Sequence, residues 1–292
     1  MKKRIISGAV YTAILAGFYC LKIFLHDLCF DALLYAFALI GTFEILRAFK
    51  EKTTQAQRVV TYAYAATVLP ACALAETFFA YGLQAACLTT LLFVVIQLSL
   101  LVFQHEQTTL DGIGYSLLSG AYPSFLLCAL TLLNHALPIV GVGLGSDLLV
   151  LFIFVISPLA DVFAFLFGIS LKKVFPKKLA PTLSPNKTVI GFIGGLVGGI
   201  ISATALYFTY GAITETLTNT ALWLPVYMGI GLLVALSTAF GDLVESCIKR
   251  KVGIKDMGSI MPGHGGVLDR IDGTLVSAVI VYAAYLLISV LV

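Results

Sequence analysis

The sequence has 292 residues, of which 60% are hydrophobic and 11% charged, with a net charge of +3 and a mean hydropathy of +1.01. A soluble domain carries about a quarter charged residues, so this composition excludes one. It equally excludes a disordered chain, a collagen-like fibre and a small disulfide scaffold, and leaves an all-α polytopic membrane protein.

A spanning helix needs about 20 largely apolar residues. Nine stretches qualify: 5–25, 28–46, 59–79, 83–103, 113–133, 147–171, 189–210, 221–241 and 272–292. The first follows Lys2-Lys3-Arg4 and shows no small-residue cleavage site, so it reads as a retained span rather than a signal peptide. Lys and Arg mark the cytoplasmic loops. With the N-terminus inside, every Lys and Arg except Lys22 falls in an inner segment (1–4, 47–58, 172–188 or 242–271; the fifth, 104–112, has none). The C-terminus is therefore expected outside. Two regions are predicted: a transmembrane scaffold over 1–135 and a chemistry-bearing region over 136–292, with cytoplasmic loops 172–188 and 242–271. The six cysteines lie in or beside apolar runs without C-x-x-C spacing. They read as small core residues, not as a zinc site or redox pair.

Through the first five spans Glu44, near the inner end of the second, is the charge that stands out. Beyond residue 150 the polar residues gather. Asp161, in Ser157-Pro158-Leu-Ala-Asp161, lies ten residues before the inner end of its span, roughly 15 Å along a helix. A carboxylate at the centre of a span costs about 2.5–3.5 kcal/mol and needs a partner. Pro158 should kink that helix. The plain alternative is a hydrogen-bonded structural aspartate. For the lysines from Lys172 to Lys178, setting orientation and touching anionic lipid is as good a reading as a functional role. Ser184-Pro-Asn-Lys187-Thr188 differs, joining a rigid turn, hydroxyls and an ammonium just before a helix N-terminus, a place suited to phosphate. In the seventh span, Gly194, Gly195, Gly198 and Gly199 form overlapping G-x-x-x-G pairs for close helix packing; a homodimer and packing within one chain are both open.

The densest stretch follows. Asp242, Glu245, Ser246 and Lys249 fall on one helical stripe at i, i+3, i+4 and i+7. Lys249-Arg250, Lys255-Asp256 and Pro262-Gly263-His264-Gly265-Gly266 lead to Asp269, Arg270 and Asp272. Glycines around His264 let backbone N–H groups approach an anion. Carboxylates and cations crowded together need a bridge. A hard divalent cation with phosphate oxygens completing its shell provides one, and no Cys or multi-His cluster competes for a softer metal. Magnesium with a polyphosphate is the expectation.

The run Ser246-x-x-Lys249-Arg250-x4-Lys255-Asp256-x-Gly258-x3-Pro262-Gly263-His264-Gly265-Gly266-x-x-Asp269-Arg270-x-Asp272 resembles the long motif of the CDP-diacylglycerol synthase, or phosphatidate cytidylyltransferase, family. Asp161…Phe165…Gly168 and Leu179-Ala-Pro-x-x-Ser184-Pro-x-Lys187-Thr188 also resemble family patterns. The similarity covers about residues 157–292; the first half shares only the span count and Glu44. Phe165 stands where the family pattern has a tyrosine, and Ile190 where a polar or acidic residue is common.

The resemblance implies that CTP and phosphatidate give CDP-diacylglycerol and pyrophosphate with Mg2+, and leaves a second cation open. It implies Asp242 and Asp269 as metal ligands, with Asp161 and Asp272 as further ligands or their supports. Lys187, Lys249, Arg250, Lys255 and Arg270 would bind the triphosphate and lipid phosphate, with Ser184, Thr188, Ser246, Gly265 and Gly266 lining the substrates. His264 would donate to departing pyrophosphate or merely stabilise the turn, and Glu245 would orient a lysine. The expected setting is the cytoplasmic membrane, with the active site facing the cytosol, membrane lipid as a partner and no nucleic acid. A CTP-dependent lipid kinase and a CDP-alcohol phosphotransferase are neighbouring enzyme readings. A secondary transporter is the different-class alternative; no internal repeat supports it.

Overall fold

The computed structural model describes residues 2–139, 143–214, 220–263 and 265–291. Among them are nine helices long and apolar enough to cross a membrane: α1 (Lys2–Phe24), α2 (Asp27–Ala48), α3 (Gln55–Phe79), α4 (Gly82–Phe103), α5 (Leu110–Asn134), α6 (Ser146–Leu171), α7 (Val189–Thr214), α8 (Thr220–Val252) and α9 (Leu268–Leu291). The nine predicted spans are all present. Most ends differ from the prediction by no more than four residues, α9 starting at Leu268 instead of 272, but α8 continues past the predicted 241 to Val252. The polar loop therefore shrinks to 253–267. A second departure from the all-α expectation is a hairpin, β1 (Lys178–Ala180) with β2 (Ser184–Thr188), antiparallel with Ala180 opposite Ser184. Pro181 and Pro185 hid it, because neither strand shows apolar alternation.

The chain divides into two units: Met1–His135 with Lys251–Ile271, and Ala136–Arg250 with Asp272–Val292. In the first unit, Thr54 and Gln57 form a capping box that opens α3. The core holds Phe30, Leu34, Ile45, Leu69, Leu127 and Leu130. A Cβ added at Gly120 on α5 would lie 2.9 Å from the stacked rings of Tyr64 and Phe93, so a larger residue would not fit. A polar knot closes one end of the unit. Asp31 is buried; its Oδ1 accepts from Asn134 at 3.0 Å and its Oδ2 lies 2.6 Å from His135 Nε2. Burial opposes charging of His135, but Asp31, through hydrogen bond and charge, and then Asp27 and Glu76 raise its pKa above the ordinary histidine value.

In the second unit, α6 and α7 pack face to face through glycine. A Cβ at Gly194 or Gly198 would strike Phe167 or Phe163, and one at Gly199 would lie 2.6 Å from the carbonyl oxygen of Gly231 on α8. The seventh-span glycines thus serve packing within the chain. Rather than a simple proline kink, α6 widens to a π-turn over Phe152–Ile156 just before Ser157-Pro158. A π-turn absorbs the hydrogen bond that proline cannot donate. Ser157, Ser237, Thr238 and Ser277 form a buried hydroxyl network, with Thr238 Oγ1 donating to Ser157 Oγ at 2.9 Å and lying 3.1 Å from Ser277 Oγ. Such contacts average about 0.6 kcal/mol each within membranes, but together they pin α6, α8 and α9 around the charged residues described next.

Candidate active site

The candidate residues fall in both units. In the second, the extension of α8 carries Asp242, Glu245, Ser246 and Lys249 on one face. Glu245 is fully buried and its Oε2 accepts from Lys249 Nζ at 2.9 Å, so it orients a lysine. Gly241 allows this face to approach α9 closely: an added Cβ would lie 3.0 Å from Gly273 Cα. Asp272, at the start of α9, accepts from Gly273 N–H through its Oδ1 at 2.7 Å. The hairpin brings Lys187 to the same group, where it pairs with Asp242. Burial pushes the Lys187 ammonium below the ordinary lysine pKa; Asp161 and then Asp272 pull it back up, while Lys249 pushes it further down. One lysine thus senses carboxylates from α6, α8 and α9.

Around that lysine the supporting residues are local. Arg250 Nε donates to the Leu183 carbonyl at 3.4 Å, tying the end of α8 to the hairpin turn. Thr188 Oγ1 accepts from Gly191 N–H at 3.1 Å, so it caps α7. Ser184 opens β2 opposite Ala180.

In the first unit the glycine-rich loop is organised by carboxylates. Asp269 Oδ2 accepts from Met257 N–H at 2.9 Å and Gly266 N–H at 2.8 Å. Glu44 Oε1 accepts from Val267 N–H at 3.0 Å, and its Oε2 from Leu268 N–H at 2.9 Å. Met261 N–H donates to Gly265 O at 2.9 Å across a turn with positive φ at Gly263 and Gly265. The N–H of Gly266, expected to face an anionic substrate, is occupied by Asp269. Four amides, those of Met257, Gly266, Val267 and Leu268, bind the protein's own carboxylates, and Lys255 and Arg270 are exposed cations of the loop and of the first turn of α9. His264 lies outside the described residues. Sequence reasoning singled out Glu44 without a role and passed over Asp31. A carboxylate inside an apolar span was the available signal in both cases.

Among the described residues, no three His, Cys, Asp or Glu side chains are grouped to hold a metal ion alone. The donor chemistry still suits magnesium. Asp161, Asp242 and Asp272 supply only oxygen, and Mg2+ commonly takes one or two carboxylates and completes its shell with water and substrate phosphates.

Apolar helices, three of which bring charged residues together with a lysine-bearing hairpin, define a polytopic membrane protein. Residues 2–288 match the Cytidylyltransferase family, and the chain belongs to it. It is 41% identical over 169 residues to the phosphatidate cytidylyltransferase of Staphylococcus aureus (strain COL), a match covering 55% of this chain and 60% of that protein. To the phosphatidate cytidylyltransferase of Mycobacterium bovis it is 46% identical over 113 residues, covering 39% of this chain and 33% of that protein. These matches thus span less than two thirds of each relative.

Proposed function

We propose that the chain transfers the cytidylyl group of CTP to phosphatidate, giving CDP-diacylglycerol and pyrophosphate. Family membership supports the transfer, and the names of the relatives support the lipid acceptor. The observation that carries the reading is the cluster about Lys187, a half-buried lysine paired with Asp242 and within electrostatic reach of Asp161, Asp272 and Lys249. Phosphatidate brings its own nucleophile, so a phosphate oxygen attacks the α-phosphate of CTP in line while the bond to the β-phosphate breaks. Lys187, Lys249 and Arg250 neutralise and align phosphate oxygens. Lys255 and Arg270 supply cations from the glycine-rich loop. Asp242 would hold Mg2+, with Asp161 and Asp272 as a second ligand or as supports, and the ion would supply further neutralisation of charge on the triphosphate. The charge distribution supports a cytoplasmic N-terminus, an outer C-terminus and a site open to the cytosol in the cytoplasmic membrane.

The test is paired label transfer on detergent-purified protein with phosphatidate and magnesium, using CTP labelled at the α- or the γ-phosphorus. Label entering lipid from the α position alone is expected. Entry from the γ position alone would make the protein a lipid kinase. Entry from neither, beside an active synthase, would turn attention to transport.

A further inference from the structure

A carboxylate in an apolar helix needs a physical reason, and Glu44 has one. It is 1% exposed, and its two oxygens are divided between successive amides at the start of α9, those of Val267 and Leu268. The first N–H groups of a helix have no partners within it, and negative charge beside them is favoured by the helix dipole. Gly258 and Gly266 make the room: a Cβ on either would collide with the Glu44 carboxylate. Two glycines, two amides and one buried carboxylate therefore form a fitted joint between α2 and the loop 253–267. Asp269 holds the same loop through Met257 and Gly266.

We propose that Glu44 is a positioning residue. It fixes the glycine-rich loop and the first turn of α9 so that Lys255 and Arg270 meet the substrate phosphates, while touching no substrate itself. What the loop does rests on the cytidylyl-transfer reading; the joint does not. With the amides of Met257, Gly266, Val267 and Leu268 engaged by Asp269 and Glu44, Lys255 and Arg270 are the groups this joint presents to phosphate.

The experiment combines hydrogen exchange on the full chain in detergent, without substrate, with steady-state kinetics per folded molecule. Glu44→Gln should speed exchange across 257–268 about ten- to a hundredfold, as expected for loss of a hydrogen bond to a charge, with α3 and α4 unchanged. It should also raise KM for CTP about tenfold and lower kcat, on the same principle. Gly258→Ala keeps Glu44 but drives a Cβ into its carboxylate, and should reproduce both effects should the first variant fold poorly. Glu76→Gln is the control. Glu76 Oε2 accepts from Gly82 N–H at 2.8 Å at the start of α4, so its loss should lower thermal stability and leave KM unchanged. Unchanged exchange in Glu44→Gln would overturn the proposal. So would faster exchange with wild-type KM and kcat, because the role would then be purely structural. Faster exchange in a protein whose wild type transfers no cytidylyl group would overturn the reaction and leave the joint standing.

Discussion

Lys187 sits one residue before the cap of α7, and burial works against its charge while carboxylates sustain it. That balance makes it a poor candidate for a merely topological lysine, since such residues stand in water. Lys187→Ala should raise KM for a phosphate-bearing substrate by about tenfold and change kcat less, matching loss of a charged hydrogen bond. The pH response has a defined sign. With its pKa below the ordinary lysine value, Lys187 loses its proton earlier as pH rises, so wild-type KM should climb on the alkaline side before free lysine would titrate. A flat KM through that range, or an unchanged KM in the variant, would remove Lys187 from phosphate binding. Asp242, its ion-pair partner, follows from the helical stripe readable in the sequence. Glu44 does not, because its partners lie 223 and 224 residues away and no periodicity reports a contact of that separation.

At the level of elements, hydropathy made the helices legible and left their ends obscure. The nine apolar stretches are bulk signals, whereas the last turns of α8 are polar because they carry chemistry, so the apolar criterion stopped short of Val252. The β1–β2 hairpin was invisible for a related reason: its strands are short and half-exposed, with prolines in the turn and in β2. The glycines of α7 were legible as a packing face, and the structure supplies their partners. Gly199→Val would drive a side chain into Gly231 and Ala235. Overpacking of this kind costs about 1–3 kcal/mol, so Tm in detergent should fall by several degrees. Gly229→Ala, where an added Cβ meets nothing within 4 Å, should leave Tm unchanged. Equal Tm values for the two variants would show that α7 and α8 tolerate separation.

For the whole molecule, the placement of charge is the strongest statement the sequence makes. Every Lys and Arg but Lys22 falls on one predicted side, and Lys22 is held by Asp27 at 2.6 Å. Single cysteines at Glu51→Cys and Tyr81→Cys, in a cysteine-free background, read this directly in intact cells. A membrane-impermeant maleimide should label Tyr81→Cys at once and Glu51→Cys only after permeabilisation; the reverse pattern would invert the chain. The sequence could not show that residues 251–271 belong with the first 135. That association depends on the joint at Glu44 and on Ser7 Oγ donating to Pro262 O at 3.1 Å.

That joint also has a history in time. Val267 is made 223 residues after Glu44, and ribosomes add about 5–20 residues per second. Glu44 therefore enters the bilayer about 11–45 s before its amide partners exist, and must pass that interval protonated or hydrated. The first unit reaches its final form only when the last loop arrives, so a nascent chain stalled before residue 267 carries an open, acid-bearing bundle.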